Sequence, residues 1–320
     1  MTLDPGDGPP PRARVVVPEF LPDEHLGILG RRVEVTYDPD LYADRPRLLA
    51  ELGDARAILI RNRTRIDAEL LGAAPDLEVV GRLGVGLDNI DLAAASEAGV
   101  RVIPAYGANA VSVAEYVMAA MLILTRGIFS MTESMVAGQW PRQGHAFGRE
   151  LQGKTLGLVG FGSIARQVAA RASGFGMRVI AHDPYLPEDD EGWSGADRTG
   201  LDDLLVTADV ISIHIPLTDE TSGLISEAAM NRMKAGAVLI NTSRGGIVDE
   251  IALADALRSG AIAGAALDVF ATEPLEPGPA SVFAGLGNLI LTPHVAGNTD
   301  ESVDRVARTI VDAVLDALAV

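Results

Sequence analysis

The chain has 320 residues, 48% of them hydrophobic and 22% charged, a length and balance that fit two globular domains. Its formal net charge of −18 argues against nucleic-acid or anionic-membrane binding through bulk electrostatics, so an anionic ligand has to be held by a local cluster of donors. With no cysteine, disulfides, thiolate catalysis and cysteine-ligated zinc are excluded, and no metal site is expected.

The first 14 residues are acidic and rich in Pro and Gly, without the apolar core of a secretory signal. Short apolar runs then alternate with amphipathic stretches, the pattern of an α/β fold with parallel sheets. In the first third, strands are expected at Arg14–Pro18, Arg31–Thr36, Ala55–Ile60, Leu77–Arg82 and Val100–Ile103, with helices such as Ala43–Leu52 and Asp91–Ala98 between them. A long Ala-, Val- and Met-rich helical pattern runs from about Asn109 to Gly127. Its most apolar part, Tyr116–Thr125, falls far short of the ~20 residues of a membrane span, so a cytoplasmic protein is expected. A loop at Gly138–Gly153 precedes a second βαβ series from Lys154 to about Pro293. Apolar residues at helical spacing (Val303, Val306, Ile310, Val314, Leu318) close the chain. The expected domains are 1–108 with 296–320, and 109–295.

The strongest local signal is TLGLVGFGSIA at 155–165. An apolar strand, Leu156–Val159, leads into Gly160-Phe161-Gly162-Ser163-Ile164-Ala165, which fits G-x-G-x-x-A, and a helix follows. Gly160 lets the chain turn off the strand, Gly162 lets backbone N–H groups approach a pyrophosphate, and Ala165 permits close helix–strand packing. A second strand, Arg178–Ala181, ends in His182-Asp183, placing Asp183 about 20 positions beyond Gly162, where an acid binds the adenosine ribose hydroxyls. An acid there also repels a 2′-phosphate, which favours NAD over NADP.

Hydride transfer to a 2-keto acid needs a cation for the carbonyl and carboxylate, a general acid, and a group that keeps that acid protonated. Of five histidines, His25 and His145 lie in polar, loop-like settings and read as solvated surface residues. His214 ends the strand Val210–Ile215, along the expected cofactor. His294 follows Leu289–Leu291, Arg244 follows Ala237–Ile240, and Glu273 follows Ala265–Val269. Each lies beyond the carboxyl end of a strand, where open α/β sheets place their sites. Any of the three alone reads as a turn, an exposed acid or a structural histidine; on three successive strand ends they form a constellation.

These stretches, with VVGRLGVGLDNIDL (79–92), INTSRGGIVDE (240–250), AGAALDVFATEP (263–274) and TPHVAGNT (292–299), resemble the D-isomer-specific 2-hydroxy acid dehydrogenase family, most closely its 3-phosphoglycerate dehydrogenase branch. The resemblance implies a flavodoxin-like substrate domain, a Rossmann NAD-binding domain and a homodimer formed through the latter. It implies that Arg244 binds and polarises a small anionic 2-hydroxy or 2-keto acid, that His294 is the acid/base, and that Glu273 pairs with it. It further implies that Asp268 contacts the nicotinamide carboxamide, that Thr242, Ser243, Ile215 and Gly297 line the cofactor, and that the loop with Gly84, Val85 and Gly86 offers N–H groups to the substrate carboxylate. Since the sequence ends at Val320, serine feedback through a regulatory extension is not expected.

Two rivals stand beside this reading. A formate dehydrogenase pairs its histidine with glutamine, which Glu273 contradicts. A non-enzymatic NAD-sensing corepressor shares such residues, and turnover of any 2-keto acid separates it from an enzyme. The substrate is left open among phosphoglycerate-, sulfolactate- and glycerate-like acids. Arg61 and Arg63, just beyond Ile58–Ile60, are expected to hold a second anionic group, with Arg63→Ala removing most of the preference for it.

Overall fold

The computed structural model describes residues 12–127, 131–140, 142 and 148–320. His145, the first 11 residues and most of the loop around His145 lie outside them. Two compact units emerge, residues 1–109 with 299–320 and residues 110–298. Among the described residues no helix is long and apolar enough to cross a membrane.

The first unit is built on five parallel strands: β1 (Arg14–Val17), β2 (Glu34–Tyr37), β3 (Ala57–Ile60), β4 (Val79–Arg82) and β5 (Arg101–Pro104). Their order is β2-β1-β3-β4-β5, the flavodoxin-type doubly wound arrangement. The central strand β3 is a run of four fully buried residues, as expected of a parallel strand covered on both faces. The C-terminal helix Asp300–Ala317 lays Ile310 and Val314 across β4, where Gly81 leaves no room for a side chain. A Cβ there would come within 2.8 Å of both.

The second unit carries seven parallel strands: β6 (Thr155–Val159), β7 (Arg178–His182), β8 (Asp197–Arg198), β9 (Val210–Ile213), β10 (Ala237–Asn241), β11 (Ile262–Leu267) and β12 (Leu289–Leu291). The order is β12-β11-β10-β9-β6-β7-β8. The chain winds outward from β6 in one direction and from β9 in the other, so the strand order reverses between them. The carboxyl ends of β6 and β9 therefore flank the crevice where such sheets bind ligands. The helix Ala110–Arg126 covers one face, burying Val117 and Met121 against Leu158, Val238 and Ile240.

One expectation changes. His25 is not a surface residue. It lies on the helix Asp23–Gly30, is 1% exposed, and its Nε2 meets Asp304 Oδ1 at 2.8 Å on the C-terminal helix. The deciding partner is distant in the chain. Ahead of residue 200, two exposed residues pair with β7 as the edge strand β8, an element too short to show a period.

Candidate active site

At the end of β6 the chain turns at Gly160, whose φ is +87°. A side chain there would meet the His214 carbonyl oxygen at 2.5 Å, so glycine is required both by conformation and by the approach of the β9 segment. Gly162 begins the helix Ser163–Gly174 without a side-chain cap, and the space its Cβ would occupy is open. The N–H groups of the first turn, Ser163 and Ile164 among them, have no cap and form an anion-binding terminus. Asp183 accepts from Phe161 N–H at 2.9 Å with one oxygen and from Tyr185 N–H at 3.0 Å with the other. It thus ties the glycine loop to the end of β7, and each oxygen retains a lone pair for a ribose hydroxyl. The Thr242 hydroxyl is buried with no hydrogen-bond partner among the described residues, an orphan that a bound ligand satisfies. These features fit a dinucleotide.

His214 N–H bonds Val159 O at 2.7 Å, tying β9 to β6, and its ring Nε2 meets Ser212 Oγ at 2.9 Å. Burial pushes this imidazole down to about 3, so it is neutral. Ile215 lies against the Gly160 turn.

The trio is assembled by backbone contacts. Asn241, buried at the end of β10, donates from Nδ2 to Arg244 O at 2.8 Å and accepts at Oδ1 from Ser243 N–H and Oγ–H. Its carboxamide closes the turn that presents Arg244, whose Nη1 donates to Ser243 O at 2.6 Å. At Gly245 an added Cβ would lie 1.8 Å from Phe270 O, so the Arg244 turn and the loop after β11 touch backbone to backbone. That loop carries Glu273. Glu273 Oε1 accepts from Phe270 N–H at 3.0 Å, and Glu250 accepts from Ala271 N–H at 2.7 Å. Glu273 Oε2 then meets His294 Nδ1 at 2.7 Å, with both side chains open to solvent.

His294 has a φ of +55°, unusual for a residue with a side chain. Its N–H bonds Asp268 O at 2.8 Å. The Asp268 carboxylate, 1% exposed, takes Val295 N–H and Thr292 Oγ–H on one oxygen and Ala296 N–H on the other. Asp268 is therefore first a clamp on residues 292–296. The second oxygen keeps a lone pair, the position left for a carboxamide. Gly297 follows in the same loop.

In the first unit the loops after β3 and β4 hold the remaining candidates. Glu19, just beyond β1 and 3% exposed, accepts N–H bonds from Arg61 (2.8 Å), Arg63 (3.2 Å) and Thr64 (3.0 Å). Asn89 Nδ2 donates to Arg61 O and Thr64 O from the other side. β1 and β3 are the strands between which this sheet reverses its order, so Arg61 stands at its switch point. Its guanidinium is half-buried and finds no hydrogen-bond or ion-pair partner among the described residues. Desolvation lowers its pKa against the opposing pull of Glu19. Arg63 differs from expectation. Its guanidinium lies 5.0 Å from the Tyr42 ring centroid and donates to the Tyr42 hydroxyl, on an exposed face. A stacked, hydrogen-bonded arginine is committed to its neighbour, which leaves Arg61 as the candidate for a second anion. Gly84 is also corrected as a donor, because its N–H is spent on Arg82 O at 2.7 Å. Leu83 N–H is spent on Ile60 O. Val85 and Gly86 keep N–H groups with no partner among the described residues.

The candidate loops are held by Asn241, Glu250, Thr292 and Asn89, which lie inside the resembling stretches but were given no role there, and by Glu19, which lies outside them. Residues 118–296 match the model of the D-isomer specific 2-hydroxyacid dehydrogenase NAD-binding domain.

The chain belongs to the D-isomer-specific 2-hydroxyacid dehydrogenase family.

This dehydrogenase is 50% identical over 307 residues to the (S)-sulfolactate dehydrogenase of Chromohalobacter salexigens, covering 96% of this chain and 98% of that protein. It is 43% identical to the D-3-phosphoglycerate dehydrogenase of Mycobacterium leprae across 95% of its own length, which spans 57% of that longer relative. The crystal structure of the TT0316 protein of Thermus thermophilus superposes with a TM-score of 0.86 at 37% identity, covering 96% of this chain and 97% of that one. The protein is accordingly an NAD-dependent 2-hydroxy acid oxidoreductase.

Proposed function

We propose that this dehydrogenase interconverts NAD-linked 2-hydroxy and 2-keto acids that carry a second anionic group at C3, a sulfonate or phosphate, and that it works as a cytoplasmic homodimer specific for NAD. One observation carries the substrate class. Arg61 is a half-buried guanidinium at the switch point of its sheet, its backbone clamped by Glu19 and Asn89 and its side chain without a partner among the described residues. A desolvated cation held rigid by its own loop is costly unless an anion meets it. The 50%-identical sulfolactate dehydrogenase acts on a substrate of this chemistry, which supports the assignment.

Bound nicotinamide supplies the hydride or accepts it, and Gly160, Gly162, Ser163, Ile164, Asp183, His214, Ile215, Thr242, Ser243, Asp268 and Gly297 are the residues that would hold the cofactor. Arg244 binds the 2-keto acid and polarises its carbonyl, while the Val85 and Gly86 N–H groups receive its carboxylate. Glu273 occupies His294 Nδ1, so Nε2 is the nitrogen left to serve the substrate. In reduction Nε2–H gives its proton to the oxygen that becomes the hydroxyl. In oxidation neutral Nε2 takes that proton, and Glu273 stabilises the imidazolium. Asp183, an anion at the ribose position, disfavours a 2′-phosphate. Met135, Val136 and Trp140 are exposed on the segment after the long helix of the second unit, Val136 at 85%, apolar surface that supports self-association.

The test is a panel of 2-keto and 2-hydroxy acids assayed with NAD(H) and NADP(H), with the mass in solution measured by light scattering. The reading expects C3-sulfonated or C3-phosphorylated acids to exceed glyoxylate and hydroxypyruvate in kcat/KM, NAD to exceed NADP, and a dimer mass. Equal turnover of the uncharged analogues would return Arg61 to a structural role.

A further inference from the structure

His294 is held in a left-handed backbone conformation that is unfavourable for a side-chain-bearing residue, so something has to impose it. The bonds that do so converge on Asp268, which is itself held by one hydroxyl. Thr292 Oγ lies 2.6 Å from Asp268 Oδ1 and 2.6 Å from the Tyr116 hydroxyl. Asp268 Oδ1 accepts from both Val295 N–H and the Thr292 hydroxyl, so Thr292 donates its single proton there. The Thr292 oxygen is then an acceptor, and Tyr116 is the donor to it. The direction of the chain is fixed: Tyr116 O–H to Thr292 O–H to Asp268. Asp268 passes the constraint on through Val295 N–H and Ala296 N–H, and through its own carbonyl to His294 N–H. Burial pushes the Tyr116 phenol up, a shift that the Thr292 bond opposes and the Asp268 charge reinforces, so the donor keeps its proton across the working pH range.

Tyr116 sits in the middle of the helix Ala110–Arg126, whose neighbouring residues are buried in the sheet below. The anchor of the chain is therefore a rigid element, while the His294 loop is exposed from residue 293 to residue 295. Side chains on loops are placed precisely only when a supporting shell locks them. Short O–H···O bonds to a carboxylate are among the stronger ones available for this.

We propose that Tyr116 and Thr292 are positioning residues of this dehydrogenase, a hydroxyl relay from the long helix through Asp268 that sets the backbone, and with it the imidazole, of His294. The inference rests on His294 being the acid/base of the reaction.

The test compares Thr292→Val, which keeps the shape and removes the hydroxyl, with Thr292→Ser, which keeps the hydroxyl, and with Tyr116→Phe. Thr292→Val is expected to lower kcat about 10-fold or more, with KM for NAD and substrate changed less than about threefold. Thr292→Ser should restore kcat to within about threefold of wild type, and Tyr116→Phe should lie between. In cofactor-free protein the His294 ring resonances, assigned by their loss in His294→Ala, should shift in Thr292→Val and return in Thr292→Ser. Melting temperatures of all variants report folding. If valine and serine behave alike, or if kcat falls only in step with thermal stability while the His294 resonances stay in place, the relay is refuted. If His294→Ala itself retains wild-type kcat, the underlying assignment of the acid/base fails instead. Should Thr292→Val not fold, Tyr116→Phe decides by the same two readouts.

Discussion

Two buried carboxylates do similar work in the two units, and their difference is instructive. Glu19 in the first unit and Asp268 in the second are 3% and 1% exposed, and each collects backbone N–H groups from a strand-end loop. Glu19 gathers Arg61, Arg63 and Thr64 without forcing any of them into a positive φ. It leaves the Arg61 guanidinium half-buried, and under the proposed function that makes it a device for recognition. Asp268 gathers Val295, Ala296 and the Thr292 hydroxyl around a residue that would not otherwise adopt its conformation. Under the proposed function, that device aims the proton-transfer group. A buried acid is costly in both places, and in both the cost is offset by satisfying every oxygen.

If this division is right, the largest effect comes from the group Asp268 aims. His294→Ala should lose on the order of 10²-fold or more in kcat, the scale of general acid–base catalysis. Glu273→Gln should retain more activity but lower kcat about 10-fold, because the carboxylate that holds Nδ1 at 2.7 Å and fixes the ring is replaced by an amide. Unchanged kcat in steady-state assays would show that Glu273 does not orient the imidazole.

Next is the group Glu19 presents. Arg61→Gln should reduce the preference for C3-anionic over uncharged substrates ~10- to 150-fold, from roughly 1.5–3 kcal/mol for a charge-assisted hydrogen bond. Arg63→Ala, which loses only the Tyr42 contact, should change that ratio less than about threefold. Steady-state kcat/KM ratios for a charged and an uncharged analogue decide between them.

Exchanging the two clamps sharpens the comparison directly. Asp268→Asn and Glu19→Gln should each lower unfolding free energy by roughly 1.5–3 kcal/mol, measured by urea denaturation, since an amide nitrogen then faces an N–H donor. Asp268→Asn should also lower kcat on every substrate. Glu19→Gln should raise KM for charged substrates and spare kcat. Identical kinetic signatures would collapse the distinction.

A smaller change is expected at Asp183. Asp183→Ser should lower the NAD/NADP ratio of kcat/KM about 10-fold, as one charge contact is removed. Some loss of affinity for both cofactors should accompany it, because Asp183 also ties Phe161 N–H.

The smallest concerns stability. His214 is held neutral, its pKa lowered by burial from 6.5 to about 3. A base with a depressed folded pKa binds fewer protons folded than unfolded between those values. Stability should therefore be fully present above about 6.5 and decline as pH falls toward 3. His214→Gln should flatten that part of the profile in denaturation series run at neutral and at mildly acidic pH.

The strands were legible because buried parallel strands read as unbroken apolar runs, as in Ala57–Ile60 and Val210–Ile213. The trio was legible as polar residues just past such runs. The clamps were not. Glu19 lies 42 to 45 positions from the groups it binds, and Asp268 24 to 28 from its own. Nothing local marks an acid as a loop tether rather than a solvated charge. The same blindness placed His25 on the surface and treated Arg61 and Arg63 as equivalent, when Tyr42, 21 residues before Arg63, separates their roles.

The contact at Gly245 has a consequence for anyone who reshapes this enzyme. Because a Cβ there would fall 1.8 Å from Phe270 O, the loops bearing Arg244 and Glu273 meet main chain to main chain at their closest approach. That contact does not depend on the side chains at 244 and 273. A saturation library should accept many replacements at positions 244 and 273 as folded, inactive proteins, ready to host another chemistry. At position 245 even alanine should wedge the loops apart and be depleted from the soluble fraction.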